Sequence, residues 1–158
     1  MSLIVRHEPE HIAAARACAR VRLLDAKASG ATDRFGSDSE SSHFWGALGE
    51  IAAACALRLR WSCSSRVWAV EDIEGYEVRS IPPGTDPYLK AKPNDPDDRR
   101  VILVEHRSES LSIIDGWATI ADIKRAAPLT DPGNRGAPCH MTRDLRILRP
   151  LGVTPVAP

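Results

Sequence analysis

"RRVILVEH", residues 99–106, is the stretch on which the fold turns. Between charged ends it carries an unbroken run of Val101, Ile102, Leu103 and Val104. A half-solvated strand would alternate apolar and polar residues. A continuous apolar run, mostly β-branched, instead suits a strand covered on both faces at the centre of a sheet. The remainder of the chain must therefore supply strands beside it and layers above and below it.

Both neighbours of this run are legible. "SLSIIDGWATI" (110–120) reads as a further strand and a turn, entering a short helix, "ATIADIKRAA" (118–127). Upstream, "YLKAK" (88–92) is a short strand closed by the turn "PNDPDD", and "PPGTD" breaks the chain before it. Earlier still the period is two: "RVWAV" (66–70) is a strand, "EDIEG" a turn, and "YEVRSI" (76–81) the returning strand. "DLRIL" (144–148) reads as a last strand or an edge segment, and residues 151–158 as a flexible tail.

Two helices precede the strands. "EPEHIAAARACARVRLLDAKAS" (8–29) is alanine-rich and strongly helix-forming, with Gly30 as a stop. The second runs from roughly residue 40 to 58, with Phe44, Trp45, Leu48, Ile51, Ala52 and Cys55 on one apolar stripe. Its other side holds Gly46, Gly49, Ala53 and Ala54, all small, and Glu50 is the only ionisable residue between His43 and Arg58. A helix that is apolar or small nearly all round is buried. A lone carboxylate on it needs a partner, a metal or a raised pKa, the plain choice being an arginine. Two glycines in mid-helix cost about 1 kcal/mol each relative to alanine, and make sense where another backbone comes close. The expected architecture is α+β, an α/β sandwich with helices flanking a mixed, mostly antiparallel sheet of about five strands, in a single domain over residues 1–150.

Composition narrows the function classes. Of 158 residues, 21 are basic and 21 acidic, so the net charge is zero and no basic footprint announces nucleic acid. Any such binding needs local patches or a homodimer. No apolar run approaches the roughly 18 residues that cross a bilayer, so no membrane partner is expected. The four cysteines show no C-x-x-C spacing. Cys18 and Cys55 fall in helical patterns as small hydrophobes, and a reducing cytoplasm is the simpler expectation. Cys139-His140 with Cys63 lacks the paired ligand spacing of a zinc site.

The charged hairpin is the anomaly. If Ile73 to Tyr76 form its loop, Asp72 and Glu77 lie opposite each other, and Glu77 and Arg79 share a face. Opposed carboxylates repel unless a cation joins them. Mg²⁺ takes oxygen ligands from one or two carboxylates, with water and substrate phosphate completing the shell. The Val78 carbonyl could add a further ligand, and Glu50 would complete the acidic cluster. Glu71 and Glu74 rank below Asp72, one on the other strand face and one at the loop tip. The bland alternative is a solvated hairpin.

Gly46-Ala-Leu-Gly49-Glu50 on a helix, followed by Asp72 and Glu77-Val-Arg79 on a hairpin, resembles the PD-(D/E)XK nuclease superfamily, most of all its short phage and prophage proteins. "DPDDRRVILV" (95–104) and "IIDGWA" (113–118) resemble the strand endings and Gly-Trp turn of those proteins, and the likeness covers roughly residues 40–126. It implies a restriction-endonuclease-like core and Mg²⁺-dependent (or Mn²⁺-dependent) hydrolysis of DNA phosphodiester bonds. Asp72 and Glu77 would be metal ligands, and Glu50 a ligand directly or through water. The family's third catalytic position is lysine, and here it is Arg79. Arginine cannot act as a base, although it can grip a phosphate. Lys90 or Lys92, in the next strand, would have to supply the missing ammonium. The alternative is a catalytically silent nuclease fold used in nucleic-acid binding or phage assembly.

Overall fold

The computed structural model describes residues 2–29, 40–63, 72–130 and 138–152. The expected strand at 66–70, Glu71 and the Gly30 stop lie outside the described residues. The chain opens with a strand that the sequence reading passed over, β1 (Leu3–Arg6). It is short, and its period-two burial is cut off after four residues by the helix that follows.

That helix, α1 (Pro9–Ala28), starts with proline in its first turn and a reciprocal cap between Glu8 and His11. The second, α2 (Glu40–Leu57), ends where Arg58 adopts φ 57°. There the Leu59 N–H reaches back to the Ala54 carbonyl at 2.9 Å. This left-handed cap satisfies a terminal carbonyl and turns the chain back along the helix.

The main sheet contains β2 (Glu77–Ile81), β4 (Arg100–Ser108) and β5 (Leu111–Thr119), in the order β1-β5-β4-β2. β1 and β4 pair with β5 antiparallel, whereas β2 pairs with β4 parallel. Residues Val101 to His106 of β4 are buried, as an apolar run covered on both faces should be. One cover is α2, whose Ala52, Ala53 and Ala54 meet Ile102, Val104 and Ile114. The other is α3 (Ile120–Ala126) with β3 (Leu89–Ala91), which bury Val101, Leu103 and Ile81. α1 packs outside α2, around Ala15, Ala19, Phe44 and Leu48.

The fold is thus α+β, with two corrections. The strands form two sheets rather than one of about five strands. β3, β6 (Leu129–Thr130) and β7 (Cys139–Thr142) make a small antiparallel sheet of order β3-β7-β6. "DLRIL" is no strand: Asp144 accepts from the Arg146 N–H and winds Leu145–Ile147 into a 3-10 turn. Arg149, just beyond, exchanges two backbone hydrogen bonds with Trp117, at 2.9 and 2.8 Å. No helix among the described residues is long and apolar enough to cross a membrane.

The cysteines also depart from expectation. Cys18 and Cys63 form a disulfide, and Cys55 is exposed rather than part of the core. The bond removes Cys63 from any zinc set with Cys139 and His140. The His140 Nδ1 pairs with the Ala127 carbonyl instead, at 2.8 Å.

Candidate functional site

The hairpin loop is as tight as its sequence suggests. Ile73 and Tyr76 bridge, and the N–H groups of Asp72 and Ile73 both reach the Tyr76 carbonyl, at 3.1 and 3.2 Å. Gly75 takes the positive φ, 79°, that the reversal needs. Asp72 then turns its carboxylate onto the start of β2, where Oδ2 accepts the Val78 N–H at 2.8 Å. Burial pushes its pKa up to about 6, with the negative charges of Glu50 and Glu77 adding to the rise. The Val78 N–H and the more distant Arg22 oppose it. Asp72 therefore senses both of the other acids expected at the site.

They do not face one another. Along β2, Ile81 joins the core beneath α3 with Val101 and Leu103, while Val78 packs on the α2 side. Strand alternation puts Glu77 and Arg79 on the Ile81 face. Glu50 comes from α2 on the opposite face, with Asp72 at the strand's end between them. Among the described residues, no three His, Cys, Asp or Glu side chains converge where they could share a metal ion.

Each flanking acid has its own cation. Glu50 is only 4% exposed, and Arg22 of α1 grips it in a two-pronged pair, Nη1 to Oε1 and Nη2 to Oε2, both 2.8 Å. The Trp61 indole N–H adds a third bond to Oε2 at 3.1 Å. A buried carboxylate so matched is charge-paired and fully hydrogen-bonded. The two helix glycines have separate causes. Arg22 Nη1 lies 3.9 Å from where a Gly46 Cβ would stand, so the guanidinium crosses α2 at its smallest residue. A Cβ on Gly49 would collide with the Ser80 side chain of β2. Helix and sheet meet at that point, through a side chain rather than the backbone.

On the other face, Glu77 lies 3.4 Å from Arg99 and 3.8 Å from Arg79, and Arg99 also reaches Asp95 at 3.9 Å. The Arg79 Nε is buried without a hydrogen-bond partner among the described residues. Lys90 sits on β3 between the buried Leu89 and Ala91, and so points away from that core. Lys92 follows in the turn, its backbone N–H on Asp95 Oδ2 at 2.7 Å. Neither lysine makes an ion pair among the described residues, with the three acids or with any other group.

Two features went unforeseen. Arg100 of β4 lies against two rings, 5.7 Å from the Tyr76 centroid and 5.5 Å from that of Trp117. It is exposed and forms no ion pair among the described residues. Arg149 covers Trp117 as well, at 4.8 Å, while pairing with Asp122. An alternating order of aromatic and cationic residues in space was not visible along the chain, because the members come from four separate segments.

The second feature is a buried relay behind α2. His106 Nε2 faces the Trp45 carbonyl at 3.1 Å, and Ser112 Oγ lies 2.8 Å from His106 Nδ1 and 2.6 Å from His7 Nε2. Burial holds both imidazoles near pKa 4, hence neutral. A carbonyl can only accept, which assigns the His106 proton to Nε2. Ser112 then donates to His106 Nδ1 and accepts from His7 Nε2, and His7 Nδ1 has no partner among the described residues. Ser112 is fully buried, so the relay fastens the sheet to α2 and β1 and presents no nucleophile.

Comparison with known proteins returns no match: no family model fits this sequence, no curated protein is significantly similar to it, and no solved structure matches the fold.

Proposed function

We propose that the Asp72–Arg79 hairpin belongs to a nuclease-like protein that holds a nucleic-acid backbone and does not cut it in this arrangement. The observation that carries this is Arg100, exposed, without a carboxylate among the described residues, and lying against the edge-to-face pair of Tyr76 and Trp117 beside the hairpin. A guanidinium braced by ring faces has lost its conformational freedom before it meets a phosphate, and offers the two-pronged geometry that phosphate takes. Arg79 and Arg99 are spent on Glu77, on the Ile81 face of β2, and add no unpaired cation to the site.

The acids as arranged do not fit the divalent ion that the motif implies. Arg22 and Trp61 occupy both oxygens of Glu50, Arg99 and Arg79 engage Glu77, and Asp72 forms no ion pair among the described residues. Arginine at position 79 also cannot serve as a base. The restriction-endonuclease-like core, the phage or prophage connection, the cytoplasmic setting and a possible homodimer form part of the same reading, carried by the motif residues alone.

A second reading, Mg²⁺- or Mn²⁺-dependent hydrolysis of DNA, is favoured by one fact. The Asp72 carboxyl, lifted to about pKa 6 between two other acids, is where added positive charge would be most welcome. One experiment separates the two. Labelled single- and double-stranded DNA is titrated with wild type, Arg100→Ala and Asp72→Ala, and plasmid is incubated with the same proteins at several Mg²⁺ and Mn²⁺ concentrations. Salt-sensitive binding that Arg100→Ala weakens, without cutting, supports the first reading. Cutting that Asp72→Ala abolishes replaces it with the second, and neither binding nor cutting refutes both.

A further inference from the structure

Glu50 is held in place by two side chains, and one covalent bond controls where both of them come from. Arg22 stands one helical turn beyond Cys18 on α1, and Trp61 stands two residues before Cys63. The Cys18–Cys63 bond therefore ties the stretch that delivers Trp61 to the helix that delivers Arg22. Beyond the cap at Arg58 and Leu59, residues 60–63 belong to no helix or strand.

The bond adds little that the core lacks. A chain of 158 residues buries enough surface to fold without a cross-link. α1 and α2 already share a core of Ala15, Ala19, Phe44, Ala47, Leu48 and Ile51. Of the two cysteines, Cys18 is buried whereas Cys63 is exposed and open to attack. Buried disulfides resist reduction, whereas exposed ones are the labile and regulatory kind.

We propose that the Cys18–Cys63 bond is a redox clasp: closed, it holds Trp61 on Glu50; opened by a dithiol reductant, it releases residues 60–63 and takes the Trp61 donor off Glu50 Oε2, leaving the carboxylate to Arg22 alone. A thiolate of the dithiol attacks Cys63 Sγ, the S–S bond breaks, and Cys18 leaves as a thiolate that takes up a proton. The second thiol of the reductant then attacks the mixed disulfide. It releases Cys63 as a thiol and leaves the reductant as its cyclic disulfide, a transfer of two electrons and two protons in all. The importance of the lost Trp61 bond rests on the hairpin being a functional site, but the clasp itself does not.

The test contains no nucleic acid, so its outcome is independent of that reading. Full-length protein is alkylated under denaturing conditions with and without dithiothreitol, and the adducts are counted by mass. Exchange of the tryptophan indole protons is followed by NMR in the oxidised protein, the reduced protein and Cys63→Ser, with Trp61→Phe assigning the Trp61 signal. Trp117, whose indole donates to the Pro150 carbonyl and makes no bond to Glu50, is the internal control. Two adducts should form without reductant, at Cys55 and Cys139, and four with it. Reduction should speed Trp61 indole exchange by about tenfold or more and leave Trp117 unchanged, the mark of a local opening. Four adducts without reductant, an unchanged Trp61, or equal loss of protection at Trp61 and Trp117 would each overturn the clasp, the last by showing the bond to be structural.

Discussion

Glu50 and Asp72 lie at the same end of the sheet, close enough for each to feel the other's charge, and the fold treats them in opposite ways. Glu50 is the more deeply buried, yet it is satisfied three times over by Arg22 and Trp61. Asp72 is less buried and has one backbone N–H, two acidic neighbours and no ion pair among the described residues. The difference teaches that burial does not decide whether a carboxylate is strained; the supply of cations and donors does. A strained acid on a tight hairpin, held there by one backbone N–H, is the pattern of a functional position.

The contrast can be broken most forcefully at Arg22. Arg22→Ala leaves the Glu50 carboxylate buried without its guanidinium and should cost about 3–5 kcal/mol, measured by urea denaturation. Arg22→Met with Glu50→Gln should recover much of that loss, since it removes both charges. The two glycines beside Glu50 should separate next. Gly49→Ala drives a methyl into Ser80 and should cost about 1–3 kcal/mol. Gly46→Ala meets only an ordinary contact at 3.9 Å and should be neutral or stabilising by up to about 1 kcal/mol.

Acid sharpens the comparison, because the buried groups pull in opposite directions. His7 and His106 have folded pKa values near 4, below the usual 6.5. The unfolded chain therefore binds more protons between those values. Stability is fully present above about pH 6.5 and falls as pH drops toward 4, by on the order of 2 kcal/mol or more for the pair. Asp72 and Glu105 are raised to about 6, so they bind protons more readily when folded and gain stability over much of the same window. Asp72→Asn removes one compensating group. It should stabilise the protein by on the order of 1–2 kcal/mol at pH 8, with the gain fading between about pH 6 and pH 4. Its acid loss should accordingly be steeper than that of wild type. Equal slopes in thermal melts across this range would show that Asp72 carries no strain.

Much of this was legible in the chain. The long periodic segments, α1, α2 and the β4–β5 pair, declared themselves through repetition, and the buried run in β4 required two covering layers. Glu50 stood out as a lone acid on a non-polar helix, and the spacing of Asp72 and Glu77 fixed the hairpin loop. What remained hidden was pairing between distant segments. Arg22 lies 28 residues before Glu50, and nothing along α1 distinguishes it from Arg16 or Arg20, which pair instead with exposed glutamates. The strands of the second sheet have two to four residues, too few for a period to appear. The parallel pairing of β2 with β4 separates Glu77 from Glu50 across the sheet, and no spacing rule reveals it. Cys18 and Cys63 stand 45 residues apart as single cysteines, with no motif to join them.

The most direct measurement is fluorescence anisotropy of labelled single-stranded DNA with wild type and Arg100→Ala across a series of salt concentrations. If the hairpin and its braced arginine hold a phosphate backbone, wild type binds at low salt and weakens as salt rises. Arg100→Ala should then bind several-fold more weakly, with the log–log salt slope smaller by about one. No binding by wild type at low salt, or equal affinity and slope in the variant, would contradict it.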